Sequence, residues 1–310
     1  MRRGNSTLTL RVLYGIFLTL LLCACQVLED PAFEPFRTAG PNLVICPAPK
    51  GLAEEIAEVR SLVPAEFNLT CAGPFVVAGD LPSQNLSQIL NRVILPVSRA
   101  YRTQFMETCP TQFCRVYLYS STKIYEEQVA LLIGHRPVSR LGLYSPVNRS
   151  IFINVGSDYG WLCHETWHAL VDYDFPGIPP WLDEGMASLF EAPLLVNDRI
   201  KGKHNWRLWT LREYFAAGKY IPLRELMSLG RREFYAKEMR GLRYAEARYV
   251  CFYLQEKGAL EAFYRGFRAG VKTDRAGVKA LCEAVSVKSL EEFEQAWLAW
   301  LKTLPNSAED

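Results

Sequence analysis

Hydrophobic and polar positions follow two different rhythms in this chain, and the change comes near residue 191. Before it, short apolar runs alternate with longer stretches of helical spacing. Residues 42–46 and 75–78 read as strands, 50–63 as an amphipathic helix, and 81–106 as a long helix starting near Ser83. Residues 115–119 give another strand and 121–133 another helix. Two more strand candidates, 142–145 and 150–155, flank a turn at Pro146-Val147-Asn148-Arg149. After Glu191 the apolar spacing is almost wholly helical, at 204–217, 223–229, 242–257, 260–269 and 290–304. The expected class is α+β: a small mixed sheet with helices, then an all-helical C-terminal lobe. The expected divisions are an α/β lobe at 42–195, a helical lobe at 196–304 and a frayed tail at 305–310. The tryptophans at 206, 209, 297 and 300 read as core.

Between the last strand and residue 191 lie two helices that carry chemistry. The first contains His164-Glu165-Thr166-Trp167-His168, with Ser157 and Asp158 as N-terminal cap and Pro176-Gly177 as stop. Histidines four apart differ by about 40° at about 3.6 residues per turn, so both rings leave one face. Glu165 points about 100° away from His164, beside that face. Pro179-Pro180 opens the second helix, which holds Glu184, sixteen residues after His168. A turn over residues 172–178 lets it fold back on the first. Two imidazoles, one carboxylate and a second carboxylate beside them form the donor set of a hydrolytic zinc site, which needs three protein ligands and an open position. The chain holds only four histidines, and two of them fall in this motif.

These residues resemble the gluzincins, zinc metallopeptidases in which HExxH is followed by a downstream glutamate ligand. WLDEGMASLFE, residues 181–191, resembles the corresponding helix of gluzincin aminopeptidases, including a second glutamate seven positions on. Taken with IFINVGSDYGWLCHETWHAL, residues 151–170, it is still more similar to the bacterial peptidase-MA-like proteins. The resemblance extends over residues 73–270. It implies a thermolysin-like fold, one Zn2+ held by His164, His168 and Glu184, and Glu165 as general base. It implies Glu191 as the residue that orients a histidine ligand. An edge strand, 142–145 or 151–155, would pair with an extended peptide or protein substrate. Tyr244, in the stretch YAEARYVCFYL, resembles the tyrosine that stabilises the oxyanion, with Tyr249 and His204 as alternatives. His135 reads as structural. Two departures stand out: the spacing to Glu184 is shorter than in the aminopeptidases, and their Gly-x-Met-Glu-Asn loop, which recognises a substrate amino terminus, is missing. The expected activity is therefore endopeptidase. The alternative is a peptidase-like lipoprotein that binds a partner or assists envelope assembly without turnover.

Charge and cysteine content add a compartment. Arg2, Arg3 and Arg11 precede a 13-residue apolar run, 12–24, too short for a bilayer span and suited to a signal peptide. Leu22-Cys23-Ala24-Cys25 resembles a bacterial lipobox. That implies cleavage after residue 24, lipid on Cys25, a tether over 25–41, and anchoring in the cell envelope, at the outer membrane in a Gram-negative cell. Loss of residues 1–24 takes the net charge from +2 to −1 and leaves no electrostatic case for nucleic acid. Export permits disulfides. The pairs considered are Cys46–Cys71, Cys109–Cys114 and Cys251–Cys282, with Cys163 buried and free.

Overall fold

Three apolar runs, 75–79, 114–119 and 150–154, are buried along their whole length, which is what a strand covered on both faces requires. A computed structural model describes Phe36, residues 46–156 and residues 159–305 of the chain. Outside the described residues lie the expected export segment with Cys25, the tether apart from Phe36, and the strand candidate at 42–46 apart from Cys46. So do Ser157, Asp158 and the tail beyond Pro305.

The sheet has five strands in the order β1-β2-β3-β5-β4. These are β1 (Asn68–Ala72), β2 (Phe75–Gly79), β3 (Cys114–Tyr119), β4 (Gly142–Ser145) and β5 (Ser150–Asn154). β2, β3 and β5 run parallel; β1 and β4 flank them antiparallel. Helices α1 (Leu52–Leu62) and α4 (Thr122–Ile133) cover one face, where Val59, Val76, Ala78, Tyr117, Tyr119, Tyr125 and Phe152 pack together. The other face carries α2 (Ser83–Ile89) and α5 (Gly160–Asp174), and α3 (Leu95–Gln104) packs against α5. The long helix expected at 81–106 is thus α2 and α3 joined by a π-helical turn, Leu90–Ile94. The turn falls just before Pro96, which has no N–H to continue an α-helical ladder. The helix begins at Ser83, as expected, with Pro82 in the N-cap position.

After α5 come α6 (Pro180–Leu189), a hairpin of β6 (Pro193–Val196) and β7 (Arg199–Gly202), and then α7 (Arg207–Ala216), α8 (Leu223–Ser228) and α9 (Arg231–Phe234). The last helices are α10 (Arg240–Glu256), α11 (Leu260–Gly270), α12 (Val278–Val285) and α13 (Leu290–Leu301). The C-terminal half is helical, with the hairpin as its exception. Its strands alternate buried and exposed positions, and Asn197 and Asp198 both have positive φ, 50° and 59°, as a tight two-residue turn requires. The expected boundary at 195/196 falls within β6 of this hairpin. No helix of the described residues is long and apolar enough to cross a membrane.

Two contacts fix the motif helices. Asp174, at the end of α5, accepts from the backbone N–H groups of Glu107 (2.6 Å) and Thr108 (3.0 Å), from Tyr264 Oη (2.9 Å) and from Arg268 (2.9 Å). On α6, Gly185 lets α10 approach closely. A Cβ there would lie 2.8 Å from the Ala247 carbonyl oxygen and 2.9 Å from Cys251 Sγ. Arg248, fully buried, donates from Nε to the Ser188 carbonyl at 2.9 Å and satisfies the end of α6.

The cysteine pairings need correction. The disulfide joins Cys46 to Cys109, with Cα atoms 5.6 Å apart. Cys71, Cys114, Cys251 and Cys282 are free thiols, and Cys163 is buried on α5. Cys114 cannot turn back to Cys109 because it begins β3 in register with Phe75 and is buried. Cys251 is occupied against Gly185, and Cys71 lies within β1. Trp297 is core as expected, whereas Trp206 and Trp209 are about half exposed, at 52% and 48%. α7 buries Leu208 and Leu211 instead, and Trp206 lies against the Arg207 guanidinium at 4.4 Å.

Candidate metal centre

α5 and α6 meet through the turn at 175–179, and this brings His164, His168 and Glu184 together. Their ligand atoms all lie within 4.8 Å of one another. The two Nε2 atoms are 3.1 Å apart, and Glu184 Oε2 lies 3.4 Å from that of His164 and 3.6 Å from that of His168. The outward nitrogens both face carboxylates. His168 Nδ1 is 2.7 Å from Asp183 Oδ1. His164 Nδ1 is 3.2 Å from Glu191 Oε1, close enough for an ion pair though not aligned as a hydrogen bond. A carboxylate beside Nδ1 favours the tautomer with its proton there, which leaves the Nε2 of a neutral ring to offer its lone pair inward to a cation.

Three lone-pair atoms therefore converge, and Glu184 Oε2 is buried with no hydrogen-bond partner. Such a cluster is unfavourable unless positive charge sits among its members. The triangle has the right size for a first-row divalent cation. With bonds of about 2.0–2.1 Å, a tetrahedral site has ligand–ligand edges of about 3.3 Å. The donor set fits the group.

The electrostatics favour positive charge at the same point. Burial opposes the charged form of His164, but Glu184 and Glu191 outweigh it and lift the imidazole to about 9. Burial likewise opposes His168, and Asp183 and Glu184 raise it. Glu184 is held well below the usual carboxylate range because the imidazoles overcome its burial. Glu191 is kept at about 2 against its own burial by Arg207. Arg207 binds it in two-pronged fashion, Nε to Oε2 at 2.8 Å and Nη2 to Oε1 at 2.6 Å, with Asn205 Nδ2 at 3.1 Å.

Glu165 is buried beside the triad, under the edge strand. A Cβ on Gly142 of β4 would lie 3.4 Å from Glu165 Cγ, which places that side chain against the edge strand. Burial pushes its carboxyl up, against the pull of His164 and His168.

Tyr244, on α10, also comes to the triad. Burial and then the negative charge of Glu184 push its phenol well up, and Arg207 lies 5.0 Å from its ring centre. The alternatives do not join it. Tyr249 Oη points to the Asn205 carbonyl at 3.5 Å, and His204 packs edge-on against Phe252. His135 is exposed.

Sequence reasoning missed Tyr235, whose Oη donates to Glu184 Oε1 at 2.8 Å. It also missed Asp183 and Arg207. Asp183 had a visible signal, a carboxylate adjacent to Glu184 on the same helix; Tyr235 had none. Compared with known proteins, the chain matches no family model, and no curated protein is significantly similar to it.

Proposed function

We propose that the protein is a zinc-dependent metallopeptidase, an endopeptidase of gluzincin type, that cleaves peptide bonds. The observation that carries this reading is the convergence of His164 Nε2, His168 Nε2 and Glu184 Oε2, each histidine backed by its own carboxylate. When bound, zinc supplies a Lewis acid that activates water and polarises a carbonyl. His164, His168 and Glu184 would hold it, while Asp183 and the Glu191–Arg207 pair fix the ring planes. Glu165 takes the proton of the attacking water and passes it to the leaving amine. A raised carboxyl suits it for both directions of transfer. Tyr244 keeps its phenolic proton and can donate it in a hydrogen bond to the developing oxyanion.

The edge of the sheet supports a peptide substrate. β4 is paired only on its β5 side among the described strands, and it packs on α5 beside Glu165. An extended backbone can add to that free side as a further strand. Residues 1–25 support export and lipid anchoring through Cys25, which would set this activity in the bacterial cell envelope.

The test is digestion of an unfolded, dye-labelled protein by the purified chain. Cleavage is expected to stop with a chelator and return with Zn2+. Glu165→Gln is expected to lower the rate by about 10²–10⁴-fold while bound zinc is retained. Cleavage by Glu165→Gln at the wild-type rate, or full zinc content in His164→Ala, refutes the reading. Tight capture of a partner without products, unaffected by Glu165→Gln, would support the partner-binding alternative instead.

A further inference from the structure

The two oxygens of Glu184 have different surroundings, and the difference is imposed from outside the motif helices. Oε1 accepts the phenolic proton of Tyr235 at 2.8 Å. Oε2 has no hydrogen-bond partner and faces both Nε2 atoms. Tyr235 follows α9, fifty-one residues beyond Glu184. Its segment is firmly held. Phe234 is fully buried, with its ring 5.5 Å from that of Tyr235. Arg243 Nη1 of α10 donates to the carbonyls of Phe234 (3.3 Å) and Ala236 (3.0 Å), on either side of Tyr235.

We propose that Tyr235 is a positioning residue for the metal centre: it engages one oxygen of Glu184 so that the carboxylate offers only the other to the cation. The proposal rests on the metallopeptidase reading of the site. A carboxylate with both oxygens free can take up two coordination positions, and the second of these is one that water or substrate needs. A donor on one oxygen keeps that position open and fixes the plane of the carboxylate. The donor is suitably neutral. A lysine or arginine there would set a positive charge against the incoming cation.

The experiment uses the full chain and Tyr235→Phe, with two readouts besides activity: zinc affinity, by competition with a chromophoric chelator, and the visible absorption of the Co2+-substituted protein at saturating metal. Tyr235→Phe is expected to bind Zn2+ about 10–100-fold more weakly. Its Co2+ bands are expected to lose intensity as Glu184 binds through both oxygens and coordination rises. Wild-type affinity and spectrum in Tyr235→Phe overturn the proposal and leave the metal centre standing. So does a weaker affinity with an unchanged spectrum, because a merely structural role would give that. Failure of the wild type to bind any divalent cation sinks the metallopeptidase reading and this proposal with it. Should Tyr235→Phe not fold, Arg243→Gln loosens the segment but keeps the phenol. It is expected to weaken zinc binding several-fold, and wild-type affinity there overturns the proposal.

Discussion

Glu246, on α10, is fully buried and has no basic partner among the described residues. One oxygen accepts from the Ile221 backbone N–H at 3.0 Å, and the other has no hydrogen-bond partner. Burial pushes its carboxyl from 4.5 up to about 8; the Ile221 N–H opposes this, and Glu294 and Glu225 add to it. At neutral pH the folded chain therefore keeps a proton that the unfolded chain has released. The sign follows from linkage: where the unfolded state binds fewer protons, unfolding free energy falls as pH rises. The stabilisation is fully present below pH 4.5 and is lost as pH climbs to about 8. At about 1.4 kcal/mol per pH unit the ceiling is about 5 kcal/mol, and entry of a water or a small shift of α13 would bring it nearer to 2–3 kcal/mol. Glu246→Gln copies the protonated shape and removes the titration. The assay is urea unfolding of both proteins at pH 5, 6.5 and 8 with chelator present. The variant is expected to gain on the wild type steadily with pH, by about 2–3 kcal/mol between the extremes. The histidines and carboxylates of the candidate metal centre titrate in both proteins and cancel from the difference. Parallel curves, or a wild type that gains on the variant as pH rises, refute the argument.

Gly185→Ala puts a methyl group against the Ala247 carbonyl and Cys251 Sγ, and is expected to cost about 1–3 kcal/mol in thermal unfolding. Because Glu184 is the adjacent residue, zinc affinity is expected to fall as well; an unchanged melting temperature would show that α10 yields easily. Asp174→Asn leaves Arg268 without its buried partner and weakens four other donors, at about 3 kcal/mol by urea unfolding at pH 7. Although burial opposes it, hydrogen bonding holds the Asp174 carboxyl below 3.8, so its contribution is full above that value and fades as pH falls. The gap between wild type and variant is expected to close in acid; a gap that widens contradicts this.

The parts of the molecule that were legible in the sequence are those set by local repetition. The spacing of His164 and His168 on a helix, the proline entry to α6 and the buried runs of β2, β3 and β5 all follow from the chain within a few turns. Features that depend on distant partners were not legible. Strand β1 carries only half-buried residues and makes its ladder with β2, so its own pattern is faint. The β6–β7 hairpin has four-residue strands, and its one clear signal is the Asn197-Asp198 turn. Cys109 and Cys114 are near in sequence but pulled apart by the start of β3, whereas Cys46 comes from 63 residues away. In the site, Glu184 was readable from its own helix, but Tyr235 reaches it only because α9 and α10 fold over α6.

The bridge from Cys46 to Cys109 also decides how the protein would bear a load. Cys109 follows directly on Glu107 and Thr108, whose N–H groups are held by Asp174 at the end of α5. Tension drawn through the segment before Cys46 is delivered across a covalent bond to that anchored loop. Helix α1 and strands β1 and β2 lie inside the closed loop, so they cannot be peeled away one after another from the front of the chain. Pulling must instead strain the end of the histidine-bearing helix, where Asp174 holds that loop.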